Sequence, residues 1–310
     1  MVNYIRVSSI SFNGCNSKGS PRSIVEKNLD KILKLLGKAV KEKPDIICLS
    51  ECSPMLGLSI TDMVKVAEKI PDPIFNSVSS FAKKHEIYII CPMIEARETQ
   101  IYNSAVLIDR YGEHVGSYYK IHPIIREIQS GITPGIEPKA YETDFGVLGL
   151  ALCFDLNFED VIDPHKKRID VIFIPSMYPG GLQLKIWAFN YGSYIISANT
   201  EGEHSMIIDP LGNILSTSSI YNPIICKTLN LDYEVFHMDY NIAKLDLIKE
   251  KYGPMIEIDM SRQESVFILK SNMKNVTVKD IIQEFDLETR KEYFLRSNYI
   301  RKKALHLSDK

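Results

Sequence analysis

The 310-residue sequence predicts an α/β protein, a four-layer α-β-β-α sandwich with two mixed β-sheets. Two observations carry that expectation. Short apolar runs alternate with longer segments of helical periodicity, the pattern of strands joined through helices. Between them lie pairs of strand-like runs joined by turn signals, which read as hairpins, so the sheets combine parallel and antiparallel neighbours.

The elements follow in chain order. "NYIRVSSISF" is a first strand. In "SPRSIVEKNLDKILKLLGKAVKEK" Pro21 follows Ser20, a favourable helix start, and Ile24, Leu29, Ile32, Leu36 and Val40 recur at helical spacing. "PDIICLSE" is a short apolar strand ending at Glu51. A helix around "PDPIFNSVSSFAKKH" leads into the strand "IYIICPMIE". "YNSAVLIDRYGEHVGSYYK" sets two strands around the turn "DRYGE". "FGVLGLALCF" is a buried strand, followed by a helix near "FEDVIDPHKKR". "DVIFIPS" is a strand, residues 182–193 a helix, "YIISAN" a strand, and "HSMIIDPLGNILSTS" a hairpin around "DPLGN". This assigns residues 1–254 to one domain. From residue 255 the chain turns charged and helical, with Thr277 and Asp280 spaced as a capping box. Phe285, Tyr293, Phe294, Leu295, Tyr299 and Ile300 give it apolar surface. Residues 255–310 read as a C-terminal extension that docks on its own domain or on a second copy of the chain.

Composition bounds the function. At 45% hydrophobic and 25% charged the chain has globular composition, and its length suffices for a large core. A formal net charge of −2 gives no reason to expect nucleic acid or an anionic membrane as partner. The opening residues lack the apolar core of a signal peptide, and no run approaches a membrane span. The six cysteines are dispersed, so no disulfide framework is implied. Cys48 and Cys52 do not form a Cys-x-x-Cys pair and no histidine cluster accompanies them, so zinc is not expected. A reduced, cytoplasmic setting fits this usage.

Three reactive side chains end apolar runs: Glu51 ends "PDIICLSE", Lys120 ends "GSYYK" and Cys153 ends "GLALCF". Singly, each has an ordinary explanation as a solvated carboxylate, a surface lysine or a core cysteine. Strand ends on one side of a sheet, however, form a common rim where sites of α/β proteins gather. Together the three make chemical sense. A thiol of ordinary pKa is mostly protonated at neutral pH and needs a base, which a carboxylate can be. An ammonium and the backbone N–H after the cysteine, that of Phe154, can hold an oxyanion. The set suits acyl transfer from a carbonyl attached to nitrogen.

The same segments resemble the signatures of the nitrilase superfamily, the carbon-nitrogen hydrolases. "PDIICLSE" is similar to the family's glutamate segment, "YNSAVLIDRYGEHVGSYYKIHP" to the segment ending in its lysine, and "TDFGVLGLALCFD" to the strand entering its nucleophilic cysteine. "GITPG" and "SMIIDPLGNIL" resemble further family segments, and the resemblance covers about residues 3 to 250. It implies a Glu-Lys-Cys triad of Glu51, Lys120 and Cys153. The family's second glutamate, which orients lysine or substrate, is best matched by Glu127. Relatives commonly form dimers, which implies a homodimer or higher homo-oligomer.

Two segments depart from the family pattern. Phe158, Glu159 and Asp160 stand where Phe-Pro-Glu is usual, and Trp187, Ala188, Phe189, Asn190 and Tyr191 replace an Arg-Ala-x-Glu-Asn segment. Both put the substrate in doubt, not the triad. Phe154 and Asp155 after the cysteine resemble the amidase and carbamoylase branches rather than nitrile hydrolases. The expectation is therefore a hydrolase of a small amide or N-carbamoyl compound, working through a cysteine thioester and releasing ammonia or an amine. One alternative is a weakly catalytic or inactive binding or assembly protein on the same fold. A more remote one is a metal-dependent phosphodiesterase of the endonuclease/exonuclease/phosphatase type, whose Gly-Asp-x-Asn and Ser-Asp-His segments are missing from the sequence.

Overall fold

The computed structural model describes residues 3–15, 18–162, 168–200 and 204–306. The chain forms two compact units, one of Ile5–Thr228 and a smaller one of the residues from Leu229 onward with those up to Tyr4.

The larger unit contains two six-stranded sheets. The first comprises β1 (Tyr4–Ile10), β2 (Ile46–Leu49), β3 (Tyr88–Arg97), β4 (Gln100–Ile108), β5 (His114–Tyr119) and β12 (Ile224–Asn230), in the order β12-β1-β2-β3-β4-β5. The second comprises β6 (Ala140–Glu142), β7 (Val147–Leu150), β8 (Val171–Ser176), β9 (Tyr194–Asn199), β10 (Met206–Ile208) and β11 (Ile214–Thr217), in the order β11-β10-β9-β8-β7-β6. Each has a parallel centre, β1-β2-β3 or β7-β8-β9. Each is extended by antiparallel pairings, β3-β4-β5 in one and β6-β7 and β9-β10-β11 in the other. The sheets are mixed because long crossovers alternate with short hairpins.

The sheets face one another. β2 packs against β8 and β9, and the Ser9 hydroxyl donates to the Ser197 carbonyl at 2.7 Å across the interface. On the outside of the first sheet lie α1 (Pro21–Ala39) and α3 (Pro73–His85), whose Val25, Ile32, Leu36, Ile74 and Val78 join Ile47, Leu49, Ile89 and Val106 in one core. Ser20 caps α1 with its side chain on the Ser23 N–H, and Pro21 stands at its first turn, as the sequence predicts. On the second sheet α5 (Gly181–Tyr191) packs on β9 and ends at Gly192, whose φ of 61° suits glycine. The unit is the α-β-β-α sandwich expected. Short helices α2 (Ile60–Lys65) and α4 (Ile125–Gln129) lie in connections.

One expected helix is not observed over the residues described. Residues 158–162 form bends and turns, and the rest of "FEDVIDPHKKR", residues 163–167, lies outside the described residues. Phe158 and Asp160 are instead drawn to His122, as described below.

The smaller unit is a three-stranded antiparallel sheet of β13 (Tyr233–His237), β15 (Val266–Ser271) and β14 (Ile256–Ser261), with α6 (Leu245–Tyr252), α7 (Val278–Phe285) and α8 (Arg290–Ala304). Phe236, Ile248, Ile256, Phe267, Leu269 and Ile281 form its core. Residue 254 falls inside this unit, since β13 pairs with β15 across that point. Thr277 and Asp280 form the capping box of α7. Among the described residues no helix is long and apolar enough to cross a membrane.

Candidate active site

Five segments reach the same rim at strand C-termini: Glu51 just after β2, Lys120 after β5, Cys153 after β7, Met177 after β8 and Thr200 after β9. β2, β7, β8 and β9 belong to the parallel centres, as α/β architecture arranges its binding residues, and β5, antiparallel to β4, runs in the same direction as β3.

Lys120 is placed by its own backbone, whose N–H donates to the Asn103 carbonyl at 2.9 Å, so β5 stays registered on β4. Glu127 sits in the first turn of α4, where its Oε2 accepts the Ile124 N–H at 2.7 Å and caps that turn. Cys153 follows the buried run Leu148–Leu152 and begins a short 3-10 turn over Cys153–Asn157. Its φ is +48°, a left-handed conformation that costs a non-glycine residue about 1–2 kcal/mol. The chain leaves the strand direction at this residue and enters the turn.

The charged groups converge. Lys120 Nζ donates to Glu51 Oε1 at 2.8 Å and to Glu127 Oε2 at 2.9 Å, with Glu127 Oε1 at 3.2 Å. All three side chains are buried. Glu51 Oε2 accepts the Met177 N–H at 3.0 Å. Asn103 Nδ2 donates to Glu51 Oε1 at 2.9 Å and to Glu127 Oε1 at 2.8 Å.

Cys153 is half-buried and feels this cluster. Burial first, and then the Glu51 charge, pushes its thiol up to about 12, countered in part by Lys120, the Met177 N–H and the Ser176 hydroxyl. The resting sulfur is therefore a thiol at neutral pH, and the nearby carboxylate is the group able to take its proton. For Lys120, burial acts to lower the pKa, but Glu51, Cys153 and Glu127 outweigh it and hold the ammonium above its ordinary range. It is a fixed positive charge, not a base.

The two chain segments that deliver Lys120 and Cys153 are tied together by Asp155, which is fully buried. It accepts the Tyr118 hydroxyl at 2.8 Å, the His122 N–H at 2.8 Å and the Leu152 N–H at 2.9 Å. His122 also stacks on Phe158, centroids 3.7 Å apart, and its Nε2 lies 2.8 Å from Asp160 Oδ1. Asp160, which departs from the family pattern, and Phe158, which keeps it, thus brace the loop after Lys120. Trp187 is buried on α5, with its ring edge-on to Tyr191.

A cavity of about 650 Å³ opens beside the cluster, lined by Asn13, Leu56, Gly57, Met177 and Thr200. Met177 joins it to the charged group through Glu51. Among the described residues no group of three or more His, Cys, Asp or Glu side chains is arranged to hold a metal ion.

Sequence reasoning brought Glu51, Lys120, Glu127 and Cys153 to one place, and the structure does the same. It did not single out Asn103 for a role, nor the tie made by Asp155. Asn103 carried only a weak signal: with Ser104 it is a polar pair at the head of the apolar run "AVLI".

Fold and site together define a hydrolase-type α/β sandwich. The carbon-nitrogen hydrolase family model matches residues 15–233, which is most of the chain, so the protein belongs to that family, within the nitrilase superfamily. Among curated proteins the chain is 26% identical over 255 residues to a nitrilase and fragile histidine triad fusion protein of Drosophila melanogaster, matching 73% of this chain but 54% of that relative. It is 25% identical to the deaminated glutathione amidase of Dictyostelium discoideum, covering 67% of this chain and 84% of the relative. It is also 25% identical to omega-amidase NIT2 of Mus musculus, covering 67% and 85%. Among solved structures, Saccharomyces cerevisiae Nit3 superposes with a TM-score of 0.63 at 18% identity, covering 81% of this chain and 95% of that one. An amidase from Nesterenkonia sp. superposes with a TM-score of 0.63 at 17% identity, covering 81% and 97%. At those identities the likeness is one of fold.

Proposed function

We propose that the protein hydrolyses the C–N bond of a small amide or N-carbamoyl compound through a thioester on Cys153. The observation that carries this is the buried contact of Lys120 with Glu51 and Glu127 beside a thiol that is protonated at rest. The substrate carbonyl enters from the cavity at Met177. Glu51 takes the proton of Cys153 as the sulfur attacks the carbonyl carbon. A C–S bond forms and the carbonyl oxygen becomes an oxyanion. Lys120 and the Phe154 N–H hold that oxyanion, the latter at the start of a helical turn whose first N–H groups have no intrahelical partner. As the C–N bond breaks, Glu51 returns the proton to the leaving ammonia or amine. A water deprotonated by Glu51 then attacks the thioester, the acid leaves, and the sulfur regains its proton. Glu127 holds Lys120 in place throughout. Amidase names among the relatives support this class, and no metal or organic cofactor takes part in the proposed steps.

The test is hydrolysis of a panel of small amides and N-carbamoyl compounds, followed by ammonia release and by mass spectrometry of the protein. We expect turnover in the wild type and an acyl adduct on Cys153 during it. Cys153→Ala should abolish both while the unfolding midpoint stays close to wild type, because only one sulfur is removed. Amide hydrolysis that survives Cys153→Ala overturns the mechanism. A folded wild type inert to the whole panel favours a binding protein on the same fold.

A further inference from the structure

We propose that Asn103 is a positioning residue that keeps Glu51 and Glu127 correctly aimed around Lys120. This rests on the proposed hydrolase reading of the same site.

Asn103 lies within β4, opposite Ile94 of β3, and is 1% exposed. A polar side chain at such a position must satisfy its hydrogen bonds inside the protein. It does so entirely within the site. Nδ2 donates to Glu51 Oε1 at 2.9 Å and to Glu127 Oε1 at 2.8 Å, while Oδ1 faces the Cys52 thiol at 3.6 Å. The orientation follows from chemistry: both carboxylate oxygens only accept, so the amide nitrogen must face them. The backbone of the same residue accepts the Lys120 N–H. One residue therefore touches both carboxylates through its side chain and registers the lysine through its main chain.

The geometry shows why an amide is suited to the place. Two buried carboxylates share one ammonium, and each needs further donors to hold its oxygens in position. The Met177 and Ile124 N–H groups each serve one carboxylate, whereas Asn103 serves both. A neutral double donor fixes Glu51 Oε1 and leaves the Met177-side oxygen to face the thiol.

The experiment compares Asn103→Ala and Asn103→Asp in the full chain. Asn103→Ala removes both donors and adds no charge; turnover should fall about 10- to 100-fold, the range for hydrogen bonds to charged groups. Asn103→Asp keeps the shape but places a third acceptor against the pair, and should fall further. In both, kcat should fall with KM little changed, because misaimed carboxylates affect the reacting atoms and not the binding of substrate. A merely structural asparagine would lower the amount of folded enzyme and leave kcat per folded active site unchanged, and that result overturns the proposal. So does an Asn103→Asp enzyme as active as Asn103→Ala. Should Asn103→Asp fail to fold, Asn103→Ser, which restores a hydroxyl donor, is expected to return part of the turnover lost in Asn103→Ala.

A second measurement needs no turnover. The crystal structure of Asn103→Ala should show at least one of Glu51 and Glu127 turned away from Lys120. Both carboxylates held as in the wild type reject Asn103. Activity absent from the wild type with the carboxylates turned rejects the hydrolase reading alone.

Discussion

Asp155 Oδ1 accepts the His122 backbone N–H at 2.8 Å, and this bond joins the segment carrying the proposed nucleophile to the segment carrying the proposed oxyanion lysine. The other oxygen, Oδ2, takes the Tyr118 hydroxyl and the Leu152 N–H. Burial raises the Asp155 pKa, and the three donors work against that rise. The carboxylate is thus a clamp between β5 and the turn after β7.

Replacing it tests the clamp. In Asp155→Asn the amide nitrogen must face at least one buried donor, leaving it unsatisfied at a cost of about 1–3 kcal/mol. Tyr118→Phe removes one donor and leaves the clamp's two backbone bonds in place, so its cost should be smaller. We expect denaturant unfolding to rank the two in that order. Turnover should fall in Asp155→Asn by about 100-fold, the scale of a small misplacement of catalytic groups. Equal stability of Asp155→Asn and wild type would remove the clamp from the account.

The Cys153 thiol sets a pH dependence. Its pKa is pushed up to about 12, so without substrate its alkylation by iodoacetamide should climb with pH and show no plateau below pH 10. The stability effect has a definite sign. Below about pH 8.5 the thiol is protonated both folded and unfolded. Above that, only the unfolded chain releases the proton, so this contribution is lost as pH rises toward the folded value. Lys120, held above its ordinary range, acts in the same direction at higher pH. Urea midpoints at pH 8 and pH 10 should therefore differ less in Cys153→Ala than in the wild type. A plateau of alkylation near pH 7 would mean that a thiolate exists before substrate arrives.

Lys120→Met separates catalysis from stability. Loss of an oxyanion donor should cost about 100- to 1,000-fold in turnover. The variant also leaves Glu51 and Glu127 together without their cation, and breaking a buried pair costs about 3–5 kcal/mol. Adding Glu127→Gln to Lys120→Met removes one of the stranded charges. The double variant should regain part of the stability and none of the turnover. A double variant no more stable than Lys120→Met would mean that the two carboxylates do not feel one another.

Much of the large unit could be read from the sequence, for physical reasons specific to each segment. Strands β2, β8 and β9 are buried on both faces and so appear as largely apolar runs. Ser20 and Pro21 marked the start of α1, and "DRYGE" and "DPLGN" marked two hairpins. The rest was hidden by the same logic. β14 alternates charged and apolar residues in "IEIDMS", which a chain rich in charge conceals among helical text, and β13, the third strand of that sheet, lies before the point where composition changes. β6 has three residues, too few for a pattern. In the site, Glu51, Lys120 and Cys153 were legible because each is reactive and ends a strand. Apart from the Leu152 N–H on Asp155, the side-chain partners of Asn103 and Asp155 across the site are distant in sequence, and no local spacing announces them.

The last expectation concerns assembly. Helix α8 is attached to its own unit by its first turns: Tyr293 donates to Asp239 at 2.7 Å and stacks on His237, and Arg296 grips Glu288 at 2.6 and 2.7 Å. Beyond Tyr293 its residues are exposed in the single chain, Phe294, Leu295, Tyr299 and Ile300 each by about half or more. A helix of this length is marginal in water without tertiary support, and a cluster of apolar side chains on it is costly to leave wet. We propose that a second copy of the chain covers it. Light scattering of the full chain should then give at least a dimer mass, and Leu295→Asp with Tyr299→Asp should lower that mass while leaving the far-ultraviolet circular dichroism unchanged. Both substitutions lie on the exposed part of α8, outside the core of Phe236, Ile248 and Phe267, so folding is not at stake. A monomeric wild type rejects the oligomer, and an oligomer untouched by the double substitution places its contact elsewhere than α8.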